Sequence, residues 1–268
     1  MNTDQKLPTL YIPHGGGPCF FMDPPPAFPH LWDGLAAYLR GIDGSLGTRP
    51  KAVLVISAHW ETLLPTLNIA AKPTLLYDYS GFPEHTYRLK YPAPGAPDLA
   101  NRVRGLLAEA GFECDVDAQR GLDHGVFVPF LLVYPEADVP ILQLSLQASL
   151  DPGFHLAMGR ALAPLRDQGV LIVGSGMSYH NLGDLFSGRG NEAAVAFDAW
   201  LGEAVKDPKI RDQRLKAWRD APGGTVSHPR EEHLLPLMVA AGAALSDHGA
   251  RSFGESISGK QISGFQFG

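Results

Sequence analysis

Residues 53–61 have the sequence VLVISAHWE, in which an apolar, β-branched run ends abruptly at His59. Continuous Val, Leu and Ile, without alternating polar residues, are typical of a parallel strand that is buried on both faces. We therefore predict a buried strand over residues 52–57. In open α/β sheets, ligands bind just beyond the carboxyl ends of such strands. His59 thus stands where chemistry is expected.

Two further strands show the same pattern. Residues 8–13 form a short apolar strand that runs into His14 and three glycines, and residues 170–173 lead through small residues to His180. The carboxyl ends of parallel strands meet at one edge of a sheet. We therefore expect His14, His59 and His180 to lie close together.

The chain has 268 residues, of which 45% are hydrophobic and 19% charged, which suits one large domain that needs no disulfide or metal staple. Strands alternate with helices, and the strands are continuously apolar. We therefore predict an α/β fold, a three-layer sandwich around a mostly parallel buried sheet. We assign residues 1–268 to this single domain.

The pattern of apolar residues and breakers predicts the other elements. Helices are predicted over residues 30–40, 98–110, 152–168, 191–206, 208–219 and 229–246. Further strands are predicted over residues 66–70, 112–116 and 139–146, with one or two edge strands within 251–267. For residues 126–134, periodicity does not separate a helix from a strand. In the last helix, Ser227 or His228 is the expected cap, and Pro229 suits the first turn.

Charge and composition exclude several classes of protein. The net charge is −6 and no long basic run is present, so the electrostatic signature of a nucleic-acid binder is missing. No apolar stretch approaches the length that spans a bilayer, and residues 1–6 lack the apolar region of a signal peptide. The two cysteines, Cys19 and Cys114, fit a reducing compartment. We expect a cytoplasmic protein without a membrane partner.

Ten histidines in an acidic chain with few cysteines favour a metal site of nitrogen and oxygen ligands over a thiolate site. His233 is expected in the first turns of the last helix, and it joins His14, His59 and His180 as a candidate. Two or three imidazoles, with or without a carboxylate, form an open site of the non-haem Fe(II) type, and Zn(II) binds comparable sets.

Two acids and two histidines have further candidate roles. Glu231 and Glu232 are candidate carboxylate ligands, although acids early in a helix are also explained by the helix dipole. His124 lies in a glycine-bounded loop and His180 follows small residues, so both remain for acid–base work beside a metal. Of the other histidines, His30 is expected on the surface and His155 in a structural or exposed position.

Two loops are expected to shape a pocket. Residues 18–29 are rich in proline, and residues 74–97 combine prolines with several aromatic rings. These rings suit a wall against a flat substrate, or equally a loop that packs on itself. Three cations, Arg88, Lys90 and Arg230, are candidates to hold a substrate carboxylate or are simply solvated surface charges.

Seven motifs occur in the order seen in one known family. They are His14 after Tyr-Ile-Pro, Ser57-Ala58-His59-Trp60, Gly81-Phe82-Pro83, Tyr91-Pro92-Ala93-Pro94-Gly95, Asp123-His124-Gly125, Tyr179-His180-Asn181-Leu182 and Glu232-His233-Leu234-Leu235-Pro236-Leu237. The chain resembles the class III extradiol ring-cleavage dioxygenases, and most closely their DOPA 4,5-dioxygenase branch. The resemblance extends from residue 8 to about residue 267.

The resemblance implies a site and a reaction. One divalent metal ion would be held by His14, His59 and His233, with Fe(II) needed for activity and Zn(II) as an alternative bound ion. In the protocatechuate branch the third ligand is a glutamate, and the matching position here is His233. His180 would be the acid/base residue, and His124 would hydrogen-bond the substrate or the oxygen atoms. The substrates would be a small aromatic diol and O2.

Two alternatives use the same histidines. A zinc-dependent hydrolase would use them to activate water. A non-catalytic metal-binding protein on the same scaffold would need no acid/base residue, since a fold does not determine its function.

Overall fold

Eight strands form one sheet in the computed structural model of the protein, which describes residues 6–268. The strands are β1 (Thr9–Pro13), β2 (Ala52–Thr62), β3 (Thr66–Asn68), β4 (Asp115–Asp117), β5 (Ile141–Gln147), β6 (Val170–Gly176), β7 (Gly249–Ile257) and β8 (Lys260–Phe267). The α-helices of this range are α1 (Asp33–Ser45), α2 (Pro97–Glu109), α3 (His124–Val133), α4 (Pro152–Leu162), α5 (Asn191–Ala204), α6 (Pro208–Lys216), α7 (Gly224–Ser227) and α8 (Leu235–Ala243). Short 3-10 helices cover Cys19–Phe21, Glu84–Arg88, Ala163–Gln168 and Trp218–Asp220.

The sheet is mostly parallel and has the strand order β4-β3-β5-β2-β6-β1-β8-β7. Its centre, β5-β2-β6-β1, is parallel throughout, whereas β8 and β7 continue one side as an antiparallel hairpin. The carboxyl ends of the central strands therefore share one edge, as the sequence predicts. Only β7 of the tail is an edge strand, because β8 is paired on both sides.

Helices cover both faces of the sheet. Along β2, Leu54 and Ile56 point into a core with α2, α4, α5 and α8, whereas Val53 and Val55 point into a second core with α1 and α3. All four side chains are fully buried. Burial on both faces explains the continuous apolar run of the strand. The predicted three-layer α/β sandwich is confirmed.

The end of β2 differs from the prediction. The strand extends to Thr62, so His59 lies within the strand rather than beyond it. Its pairing with β5 is irregular between Ile56 and Glu61, which face Leu144 and Leu146. A bulge of this kind re-aims side chains next to a site. It places His59 at the site edge although the strand continues.

The predicted helix at 229–246 is wrong at its start. Helix α8 begins at Leu235, and Pro236, not Pro229, stands in its first turn. The His233 carbonyl accepts hydrogen bonds from Tyr11 Oη (2.8 Å) and from the Met177 amide (3.2 Å). Since β1 and the end of β6 occupy this carbonyl, the segment before α8 stays irregular.

The cap expected for that helix is also wrong. Ser227 and His228 end the short helix α7, and the His228 amide donates to the Gly224 carbonyl. The run at 126–134 is helical up to Val133: α3 begins at His124, so His124 opens a helix rather than lying in a loop. The α-helix predicted over 152–168 changes to a 3-10 helix after Leu162. Local periodicity cannot detect such ends.

Cys19 and Cys114 are both free thiols. Over residues 6–268, the helices are too short or too polar to cross a membrane. The expectation of no signal peptide concerns residues 1–6, and the first five of these lie outside the described residues.

Candidate active site

Three of the predicted histidines converge at the carboxyl edge of the sheet. His14 directly follows β1, His59 lies in the bulged end of β2, and His233 lies in the irregular segment before α8. The Nε2 atom of His59 is 3.3 Å from that of His14 and 3.2 Å from that of His233. These three nitrogens all lie within 4.8 Å of one another. The first and last quarters of the chain therefore meet at one point.

The opposite nitrogen of each ring faces an oxygen. His14 Nδ1 lies 2.8 Å from the Gly15 carbonyl, and His233 Nδ1 lies 2.9 Å from Glu232 Oε1. His59 Nδ1 faces Asp78 Oδ2 at 3.6 Å. Each oxygen favours the tautomer with the proton on Nδ1. The lone pairs of the three Nε2 atoms consequently point at one another.

Burial keeps these rings neutral. Desolvation, reinforced by the neighbouring histidines, lowers the pKa of His14 and of His233 well below the usual range. Desolvation and then repulsion from His124 lower the pKa of His59 to about 3. At neutral pH the cluster is therefore three uncharged imidazoles, which is the form that binds metal ions.

This arrangement fits a divalent metal ion. Three converging lone pairs repel one another unless a cation lies between them. Nitrogen ligands about 2.0–2.1 Å from one ion are separated from each other by roughly 3 Å, close to the spacing seen here. Metal-bound histidines also characteristically donate their other N–H to a carboxylate or carbonyl. His14 and His233 meet both conditions, and the Nδ1 atom of His59 faces the Asp78 carboxylate at 3.6 Å.

His124 lies beside the three converging histidines and is held by Asp78. The Asp78 Oδ1 atom accepts from the His124 backbone N–H (2.9 Å) and from its Nδ1 (2.8 Å). The His124 ring centroid lies 4.0 Å from that of His59. Burial works to raise the pKa of Asp78, but the hydrogen bonds from His124 outweigh it and the pKa is lowered. Asp78 is thus a carboxylate that orients His124 and lies beside His59.

His180 lies on the other side of the cluster, stacked on His233. The ring centroids are 3.3 Å apart and the planes are 16° apart. Glu232 Oε1 lies 3.2 Å from His180 Nδ1 and 2.9 Å from His233 Nδ1. Glu232 therefore contacts a converging histidine and its stacked neighbour. Glu231 points elsewhere and pairs with Arg219.

Sequence reasoning missed Asp78. It is one of two acids in the aromatic loop at 74–97. A carboxylate flanked by aromatic residues was the only feature of the sequence that could have marked it as a site residue. Tyr79 of that loop lies 5.8 Å from the His124 ring centroid and also packs on Phe82 and Tyr87. The loop therefore forms a wall at the site and packs on itself as well.

A buried polar network below His59 was also missed. Asp123 accepts from Ser57 Oγ (2.7 Å), from Gln143 Nε2 and from Arg120 Nη2 (3.2 Å). Arg120 Nη2 also donates to the His59 carbonyl at 3.0 Å. The network supports the bulged end of β2, because it binds the backbone of His59 directly.

The remaining candidates lie outside the histidine cluster or at its rim. His155 is buried and bonded to backbone of residues 147 and 151, which confirms a structural role, and His30 is exposed as predicted. Arg88 pairs with Glu84 on the surface, and Lys90 is exposed. Arg230 pairs with Glu61.

The site and the sheet belong to a known class of enzyme. Residues 8–266 match the family described as the catalytic LigB subunit of aromatic ring-opening dioxygenase, so the chain belongs to this metal-dependent family. The protein is an aromatic ring-cleaving dioxygenase.

Individual relatives support the same assignment. The chain is 48% identical over 199 residues to a 4,5-DOPA dioxygenase extradiol of Beta vulgaris, which covers 73% of this chain and 74% of that protein. It is 38% identical over 277 residues to the dioxygenase tasH of Hapsidospora irregularis, covering 97% and 85% of the two chains. A crystal structure of an uncharacterised protein from Escherichia coli K12 superposes with a TM-score of 0.76 at 28% identity, covering 98% of this chain and all of that one.

Proposed function

We propose that the protein opens the ring of a catechol-type diol at a single divalent metal ion held by His14, His59 and His233. Both atoms of O2 enter the product as the carbon–carbon bond next to the diol breaks. The observation that carries this proposal is the convergence of the three Nε2 atoms, at 3.2 and 3.3 Å along the pairs through His59. When bound, the ion supplies a Lewis-acidic, redox-active centre that brings the diol and O2 together.

His180 is the proposed acid/base residue. Glu232 holds a proton on His180 Nδ1, so Nε2 carries the lone pair that accepts a proton from a substrate hydroxyl. The resulting imidazolium is stabilised by the Glu232 carboxylate. His180 can return the proton when an oxygen atom of the substrate needs it later in the reaction.

His124 is the proposed second active-site histidine. Asp78 accepts from its Nδ1, which leaves Nε2 as a hydrogen-bond acceptor toward the substrate or the oxygen atoms. The same carboxylate also accepts a hydrogen bond from the His124 backbone N–H, so both the backbone and the ring of His124 are held by Asp78. Tyr79 packs on this ring and narrows the space in which a flat substrate can lie.

Fe(II) is the proposed active ion, because extradiol cleavage requires a redox-active metal. The all-nitrogen ligand set is also suited to Zn(II). We propose a cytoplasmic location on the basis of the two free thiols, Cys19 and Cys114. The localisation is tested by fractionating cells that express the native chain.

Oxygen uptake tests the proposed function. The protein is reconstituted anaerobically with Fe(II) and mixed with a panel of substituted catechols, including DOPA, in an oxygen-electrode cell. We expect one O2 consumed for each ring opened and a yellow semialdehyde product. A Zn(II)-loaded sample is the matched control and should consume no O2. No O2 uptake with any catechol, together with metal-dependent activity toward a hydrolysable substrate under anaerobic conditions, would instead favour the zinc-hydrolase alternative.

A further inference from the structure

Helix α7 holds the backbone at His180 and directly after it. The His180 amide donates to the Ser227 carbonyl at 2.9 Å. Asn181 Nδ2 donates to the Val226 carbonyl, also at 2.9 Å. Strand β6 ends at Gly176, so His180 lies in an irregular segment that belongs to no strand or helix. Its position therefore depends on hydrogen bonds to other segments of the chain.

His228 holds the backbone just before His180. Its side chain is fully buried, and its Nε2 lies 3.0 Å from the Ser178 carbonyl. A carbonyl oxygen only accepts hydrogen bonds, so Nε2 carries the proton and donates it. The Ser178 Oγ atom in turn accepts from the Ser263 amide of β8 at 2.8 Å. The residue two positions before His180 is therefore fixed through both its backbone and its side chain.

Packing alone does not explain a histidine at position 228. The ring lies edge-on to Phe197 and Trp218, with centroids 5.5 and 6.0 Å away, so its surroundings are aromatic. Its Nδ1 atom is buried without a hydrogen-bond partner among residues 6–268, and burial of an unpaired polar atom is unfavourable. An apolar side chain would avoid this cost. The bond from Nε2 to Ser178 is the contribution that an apolar side chain could not make.

We infer that His228 is a positioning residue for His180, because it fixes the backbone from which the proposed proton acceptor projects. This inference rests on the proposed function, in which His180 takes a proton from the substrate. Glu232 orients the ring of His180, whereas His228 fixes the backbone that carries it. Since His228 is fully buried, it acts through residues 178–180 and not by contact with the reacting atoms.

Proton transfer makes the reaction sensitive to this position. The proton acceptor must lie within hydrogen-bond reach of the substrate hydroxyl, roughly 2.6–3.2 Å between heavy atoms. A misplacement of about 1 Å can reduce the rate by about 100-fold. Loss of the bond from His228 to Ser178 should therefore slow the chemical step, while the three converging histidines still bind the metal ion.

His155 provides a matched control. It is also a fully buried histidine whose ring bonds to backbone: Nδ1 faces the Asp151 carbonyl at 2.7 Å, and Nε2 accepts from the Gln147 amide at 3.1 Å. These bonds join α4 to the end of β5 and not to the segment of His180. Replacement of His155 should therefore destabilise the fold comparably without moving His180.

The kinetic test compares His228→Leu, His228→Gln and His155→Leu with the unmodified Fe(II) enzyme, using the catechol that is consumed fastest. His228→Leu should lower kcat by about 10- to 100-fold, with KM changed less than about twofold and one metal ion still bound. His228→Gln keeps an N–H donor and should recover most of the loss. His155→Leu should keep the kcat of the folded enzyme. Equal losses in His228→Leu and His155→Leu, or no recovery in His228→Gln, would overturn the inference.

A second variant covers the case in which His228→Leu does not fold. His228→Phe keeps an aromatic ring against Phe197 and Trp218 but has no donor for the Ser178 carbonyl. It should show the same loss of kcat at similar KM. An unchanged kcat in His228→Phe would show that the ring is needed only for packing and would overturn the inference.

Hydrogen exchange separates this inference from the proposed function, because it needs no turnover. Exchange in the Zn(II)-loaded protein is followed by mass spectrometry in peptides that cover residues 177–182. In His228→Leu and His228→Phe these amides should exchange at least about tenfold faster, whereas His228→Gln and His155→Leu should stay close to the unmodified protein. Unchanged exchange in the first two variants would overturn the positioning role. Failure of every catechol to consume O2, with the exchange difference intact, would overturn the proposed reaction alone.

Discussion

His180 and His233 lie ring on ring, with centroids 3.3 Å apart, and both direct Nδ1 to one carboxylate oxygen of Glu232. The proposed proton acceptor is therefore in contact with a proposed metal ligand. A positive charge on His180 would be placed against a neutral ring rather than against the ion itself. The shared carboxylate compensates that charge. The sequence alone marks both His180 and His233 as site candidates, whereas the structure supports a role as proton acceptor for His180 and as metal ligand for His233.

His180→Ala separates chemistry from metal binding. His180 does not belong to the converging Nε2 set, so the variant should retain one bound metal ion. We expect kcat to fall by about 10²–10⁴-fold, the usual contribution of a positioned acid/base group. Metal content by elemental analysis and O2 uptake by electrode measure the two effects. His30→Ala, at an 82% exposed side chain, is the control. Parallel loss of metal and activity would contradict the assigned role.

Glu232→Gln tests whether Glu232 orients a metal ligand or is itself a metal ligand. Its Oε1 lies 2.9 Å from His233 Nδ1, as expected of a group that orients a ligand. Such outer partners typically change metal affinity by about 10–100-fold, so binding should weaken while the stoichiometry holds. Competition with a chromophoric chelator for Zn(II) measures the affinity. Glu231→Gln, which breaks only the pair with Arg219, should match the unmodified protein. An unchanged affinity in Glu232→Gln would refute this role.

Asp78→Ala should affect both the fold and the reaction. It removes the acceptor for the backbone N–H and the Nδ1 of His124. We expect a stability loss of about 1–3 kcal/mol from the unpaired buried donors. We also expect kcat to fall by about 10–100-fold. Urea denaturation and steady-state kinetics measure the two effects. Asp78→Asn keeps an oxygen acceptor and should recover most of the stability; if it is as unstable as Asp78→Ala, charge rather than hydrogen bonding holds His124.

Asp123→Ala should be the most destabilising of these changes. The carboxylate is fully buried and accepts from Ser57, Arg120 and Gln143. Breaking a buried charge pair and leaving the partner unpaired costs about 3–5 kcal/mol. The midpoint of urea unfolding reports the loss. Asp138→Ala is the surface control, and its exposed pair with Arg49 should contribute less than about 1 kcal/mol. Similar midpoints for the two variants would show that the network is not structural.

Stability should fall as pH decreases from about 6.5 to about 4, in part through His228. Burial lowers its pKa from 6.5 to about 4 in the folded state. The unfolded chain therefore binds the proton first, and stability is fully present above pH 6.5 and lost toward pH 4. The shift corresponds to ~3 kcal/mol. His228→Gln should reduce the pH dependence by about this amount in denaturation at pH 7 and 4, whereas His30→Gln should not. An unaltered slope in His228→Gln would rule this group out.

Much of the fold and part of the site follow from local sequence. The run at 53–56 is apolar without alternation because the strand is covered on both faces, and such burial can be recognised in a window of a few residues. His14 and His59 could be proposed as site residues because parallel strands end at one edge. His180 follows a third strand and was a candidate for the same reason, His124 and His233 were candidates from their local surroundings, and the ordered motifs then assigned roles to these histidines through resemblance to a family.

The tertiary structure decided which oxygen each imidazole faces and where the last helix begins. Asp78 comes from a loop whose sequence carries no periodic signal, and its role exists only because His124 opens α3 beside it. Pro229 and Pro236 are equally good helix openers by sequence. Pro236 lies in the first turn of α8 because Tyr11 Oη and the Met177 amide already donate to the His233 carbonyl, which keeps the residues before Leu235 out of the helix. The sequence by itself determined the buried strands and the histidines at their ends, because those signals are local. The bonds that orient the histidines join residues far apart in the chain, and only the folded chain brings them together.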